Sequence, residues 1–254
     1  MSLAVEERVK INSPARELPT HEPVEISPAQ TQLTSEATTY AIAHASTALV
    51  LKRRYPRIGL WPLLISVQFV ELLWILFTYL GIEHSRVTPT AVHLDFLPYS
   101  HSIGTGILLA ALAIAFGRVG RRTSVGIAVA LGVLSHILLD IIQHEPNIAL
   151  LPMAWGPRIG FNLQAIPLVD FLVELMFCIA CWKIFDGSRE LMIGLVLFNL
   201  LDLPLMFAPS GLLIDLANHP FILPTVILMQ VVATWLVVWW FAKDKLFSEP
   251  VPLH

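Results

Sequence analysis

Residues Thr123 to His144 read TSVGIAVALGVLSHILLDIIQH. The run is long and apolar enough to match the roughly 20 residues needed to cross a bilayer. Its only ionisable side chains are His136, Asp140 and His144. On a helix these fall at i, i+4 and i+8 and project from one face. Two imidazoles and a carboxylate on one stripe of a greasy helix suit a metal ion. Lipid penalises unpaired charge, so ionisable groups inside a span point to function.

The rest of the chain fits that context. Hydrophobic residues make up 56% of it and charged residues 14%, against about 25% charged in a soluble domain. Such a chain cannot coat a water-facing surface, and it lacks the period-2 alternation of a membrane β-barrel. Apolar runs cover about 38–51, 58–82, 100–116, 123–143, 166–185, 190–207 and 221–242. We therefore expect an all-α, polytopic transmembrane helical bundle of about six to seven spans. Residues 1–37, with Pro14, Pro19, Pro23 and Pro28, read as a disordered or loosely ordered tail. The helical domain is expected over 38–245 and a short C-terminal tail over 246–254. The first run is short for a span and reads as tilted or partly re-entrant. Cys178 and Cys181 lie in an apolar run and read as packing residues.

Basic residues alternate between connections. Lys52, Arg53, Arg54, Arg57, Arg118, Arg121, Arg122, Lys183, Arg189, Lys243 and Lys245 mark one side, whereas the other side holds Arg86 and Arg158. The positive-inside rule puts the first set and the C-terminus in the cytoplasm, in a cell (inner) membrane. This charge pattern speaks to topology and not to nucleic acid. With that orientation His44, Glu71, His101, His136, Asp140, His144, Asp170, Glu174 and Asp202 fall at mid-membrane or in the outer half. A shared polar cavity opening outward explains such clustering.

Glu71, His101, His136 and Asp140 are the expected ligands of a divalent metal, zinc or alternatively manganese, with His44 and His144 as candidates for a second metal or for the partners behind the ligands. Glu174, Asp170 and His144 are the candidate catalytic groups. Each residue also has a plain structural reading. His136 and Asp140 can be a hydrogen-bonded pair tying two helices, and Ser100 or Ser102 can simply cap the helix after His101. His44 can be a packed histidine. Asp170 and Glu174 can pair with a loop arginine such as Arg158, and Asp202 can bond backbone loosened near Pro204. His84, His93 and Asp95 read as solvated loop residues.

Several strings resemble bacterial membrane-bound metal-dependent hydrolases of the YdjM-like group. They are Val70-Glu71-Leu72-Leu73-Trp74, Gly81-Ile82-Glu83-His84, Leu94-Asp95-Phe96-Leu97-Pro98-Tyr99-Ser100-His101-Ser102, Ser135-His136 through Leu139-Asp140, and Gly156-Pro157-Arg158-Ile159-Gly160-Phe161-Asn162. The resemblance runs from about residue 40 to 185. That group is in turn similar to zinc-dependent phospholipase C, an all-helical fold. The likeness implies His44, Glu71, His101 and the His136–Asp140 pair as zinc ligands. It implies hydrolysis of a phosphodiester or ester in a lipid-like substrate, with membrane lipids as the surroundings. The rival expectation is a transporter or permease using the same intramembrane groups.

Overall fold

The computed structural model describes residues 41–87, 92–153, 155–207 and 221–248. The expected tail over 1–37 lies outside them, as do Asp215, Asn218 and His219 of the last connection. Most described residues are helical.

Helix α1, Ala41–Arg54, is buried nearly all round, down to Ala45, Ala48 and Leu49 at 0% exposure. A helix apolar on every side belongs in a core. The later helices surround it: α1 packs against α2 (Leu60–Val67), α5 (Thr123–Gln143), α6 (Pro167–Phe185), α7 (Arg189–Phe207) and α8 (Ile222–Ser248). Lys52, Arg53 and Arg54 close its last turn, where cations oppose the carbonyl dipoles. Lys52 Nζ donates to the carbonyls of Pro56 (2.6 Å) and Ile58 (2.8 Å) and folds the chain into α2.

The second apolar run is two helices. α2 ends at Val67, and α3 (Phe69–Tyr79) leaves it at 58°. The break falls at Gln68, whose side chain donates to the Ala41 carbonyl at 2.8 Å and meets Thr234 Oγ1 at 3.4 Å. The bend is thereby tied to α1 and α8. It also puts Glu71 in the first turn of α3, where a carboxylate meets the positive end of the helix dipole.

The segment expected to be a plain loop after α3 contains an antiparallel hairpin, β1 (His84–Val87) and β2 (Val92–Phe96), pairing His84 with Phe96 and Val87 with Val92. α4 (Ile103–Val119) follows it. Ser102 is the N-cap, its Oγ accepting from Thr105 N at 3.0 Å. α4 packs on α5 through small residues: a Cβ on Gly126 would meet the Ala113 carbonyl oxygen at 2.5 Å and Gly117 Cα at 3.0 Å. After α5, strands β3 (Ile148–Ala149) and β4 (Arg158–Ile159) fold the next loop over the end of that helix, where Phe161 N donates to Ile141 O and Asn162 N to His144 O, both at 2.8 Å.

Besides its apolar core, the bundle buries polar groups and exposes large apolar ones. His44, Ser46, Glu71, His136, Asp140, Asp170, Glu174 and Asn199 are buried. Large apolar side chains such as Leu108 and Phe116 on α4, Met176 on α6, Leu201 on α7 and Met229 on α8 are exposed. Exposed apolar surface on this scale needs a non-aqueous neighbour. Among the described residues two helices, Thr123–Gln143 and the Ile222–Lys243 part of α8, are long and apolar enough to cross a membrane; α2 with α3 makes a third if the bent pair is one span. Membrane association follows from these features. α8 runs to Ser248, past the apolar stretch, because Lys243, Asp244 and Lys245 tolerate helix once outside it.

Candidate metal centre

Five side chains from four parts of the chain meet at one point. His44 comes from α1, Glu71 from the first turn of α3, His101 from the turn between β2 and α4, and His136 and Asp140 from one face of α5. All are buried, at 1%, 4%, 4%, 1% and 1% exposure respectively. Asp140 Oδ1 lies 3.3 Å from His44 Nε2. Asp140 Oδ2 lies 3.4 Å from His136 Nε2 and 3.8 Å from His101 Nε2. Glu71 Oε2 lies 3.3 Å from His101 Nε2 and 3.8 Å from His136 Nε2. The rings of His44 and His136 stack at 4.0 Å between centroids.

These separations exceed the roughly 2.7–2.9 Å of a charge-assisted hydrogen bond. The three of 3.3–3.4 Å match the donor–donor edges, about 3.3–3.6 Å, that metal–ligand bonds of about 2.0–2.2 Å set in a tetrahedral shell, and the two of 3.8 Å are longer. Both nitrogens of His44, Nε2 of His136 and both oxygens of Asp140 have no hydrogen-bond partner. Buried polar atoms normally have one, and their convergence is compatible with a bound ion. Two overlapping ligand groups emerge, His44–His136–Asp140 and Glu71–His101–His136, each with its ligand atoms within 4.8 Å of one another. Imidazole and carboxylate together suit zinc or another first-row divalent ion.

The local fold explains the convergence. The break at Gln68 frees the Val67 carbonyl, and His136 Nδ1 donates to it at 2.8 Å. That contact needs α5 close to α2, which Gly132 permits: a Cβ there would overlap the Ser66 side chain and lie 3.1 Å from its carbonyl carbon. The hairpin brings Glu83 back onto the turn that carries His101. There Glu83 accepts from Tyr99 N (2.7 Å), Ser100 N (2.8 Å) and Ser100 Oγ (2.6 Å), and Ser100 Oγ lies 2.8 Å from His101 Nδ1. The carboxylates of Glu71 and Asp140 are buried among the three rings. The centre thus attracts positive charge.

The other candidates fall outside the two ligand groups. His144 is buried at the C-cap of α5, its N–H donating to Asp140 O at 2.8 Å. Asp170 and Glu174 are buried on the face of α6 that carries Cys178, which Ser46 of α1 meets at 3.4 Å. The side chains of His93, Asp95 and Asp202 lie outside the described residues. Of the two serines weighed as caps, Ser102 caps α4 and Ser100 serves His101. Sequence reasoning assigned no role to Glu83 or Gln68. Their signal was a carboxylate closing an apolar run and a lone amide inside one. Comparison with protein-family models, with curated proteins and with solved structures gives no match.

Proposed function

We propose that the protein is an integral-membrane, metal-dependent hydrolase of about six to seven spans that cleaves a phosphodiester or ester in a lipid-like substrate. The observation that carries this reading is the convergence of five buried ligand side chains whose tips stand at metal-shell spacing with no hydrogen-bond partners on Asp140. The resemblance to YdjM-like hydrolases supports the reaction class, and membrane lipids supply substrates of that chemistry.

In this reading α1, α4, α6 and α7 join the longer helices in the membrane. α6 and α7 each carry three charged side chains, Asp170, Glu174 and Lys183 on one and Arg189, Glu190 and Asp202 on the other. Those charges depress their hydropathy, but the two carboxylates of α6 face the interior. The distribution of basic residues supports a cytoplasmic C-terminus and a centre in the outer half of the membrane.

His44, Glu71, His101, His136 and Asp140 would hold the ion, zinc or manganese, which when bound would supply Lewis acidity to the scissile group and to water near neutral pH. His144, buried one turn beyond Asp140, is the nearest of the three expected proton acceptors in sequence; Glu174 and Asp170 are buried on α6. Detergent-purified protein should carry near-stoichiometric zinc or manganese by mass spectrometry and should hydrolyse a phospholipid or a chromogenic phosphodiester. Properly folded protein that takes up neither metal would refute the reading.

A further inference from the structure

We propose that Glu83 selects the metal-binding tautomer of His101, acting through Ser100 as a positioning residue. The proposal rests on the metal reading of the centre. Its argument starts from protons. A carboxylate offers only acceptors, and three donors converge on Glu83: Tyr99 N–H, Ser100 N–H and the Ser100 hydroxyl. The single hydroxyl proton of Ser100 therefore points at Glu83 Oε2, 2.6 Å away. Toward His101 Nδ1, at 2.8 Å, Ser100 Oγ can then only accept. Nδ1 carries the proton, and the Nε2 lone pair faces Glu71 and Asp140. His136 reaches the same tautomer by another route, donating Nδ1–H to the Val67 carbonyl. Both rings thus present a bare Nε2 to one point, as metal ligation requires. The same chain argues against Ser100 as a nucleophile, because its proton is committed to Glu83 and the residue is fully buried.

Glu83→Gln reverses this chain with almost no change of shape. The amide oxygen still accepts the two backbone N–H groups. The amide nitrogen now donates to Ser100 Oγ, whose proton turns to His101 Nδ1 and moves the ring proton to Nε2, capping the ligand atom. Zinc affinity should fall about 10- to 100-fold, the usual effect of losing a partner behind a ligand. Ser100→Ala removes the coupling without imposing the wrong tautomer, so it should cost less. The double variant should therefore bind zinc as well as Ser100→Ala and better than Glu83→Gln. A merely structural role predicts the opposite order, with the double variant the weakest. A second readout needs no metal. Histidine 15N NMR of metal-free protein in micelles, at alkaline pH where the rings are neutral, should show His101 protonated at Nδ1 in the wild type and at Nε2 in Glu83→Gln. An unchanged tautomer overturns the proposal whatever the zinc result. A switched tautomer in a protein that binds no zinc leaves Glu83 in control of the ring and rejects the metal reading instead. Should Glu83→Gln not fold, Ser100→Ala decides: a mixture of His101 tautomers supports the proposal, and pure Nδ1–H overturns it.

Discussion

Asp140 is the residue on which the centre turns, because its two oxygens face three imidazoles and neither makes a hydrogen bond. Without an ion, its charge is buried and uncompensated wherever the rings are neutral. Asp140→Asn should therefore have opposite effects on the two forms. At alkaline pH the metal-free variant should melt above the metal-free wild type, by the equivalent of about 1–3 kcal/mol. Added zinc should raise the melting temperature of the wild type, by the equivalent of about 2.7 kcal/mol at a hundredfold excess over its dissociation constant. It should leave the variant nearly unmoved. His136→Ala should likewise abolish the zinc-dependent shift, and it adds a cavity against His44 that lowers the melting temperature of both forms. Thermal unfolding with and without a chelator measures all of this. A variant that kept its zinc shift would remove Asp140 from the ligand set.

At the scale of the element, the centre depends on how closely α5 approaches the end of α2. Gly132→Val should push the helices apart, break the His136–Val67 bond and cost about 1–3 kcal/mol of stability by overpacking. Zinc affinity should fall with it, whereas the same substitution at Gly81, with open space around it, strains only a turn with φ of 69°. Calorimetric zinc titration of the two variants separates site geometry from general damage. The elements themselves were unequally legible. α5 could be read to its ends, because Arg122 bounds it and its apolar run fills one span. The bend at Gln68 could not, since neither proline nor glycine stands there and the break depends on contacts with α1 and α8. The helix after His101 starts later than its apolar run suggests, because Ser102 and not Ser100 caps it. Residue type and depth pointed to His44, Glu71, His101, His136 and Asp140. The partners behind them, Glu83, Ser100 and the Val67 carbonyl, come from a hairpin and a helix break that carry no periodic signal.

For the whole molecule, the apolar exterior makes topology the prediction to test. Cys178 and Cys181 are buried, so the native thiols give little background. A cysteine at exposed Trp155 should react with an impermeant maleimide on intact cells, and one at exposed Arg121 only after the membrane is opened. The reverse pattern would turn the bundle over and put the centre near the cytoplasm. Every ligand of the centre lies between His44 and Asp140, ahead of α6, α7 and α8 in the chain. During synthesis the complete set is therefore polymerised before the last three helices are made. A nascent chain halted after α5 already contains every side chain of the candidate centre, and the helices that follow pack on α1 as its outer wall.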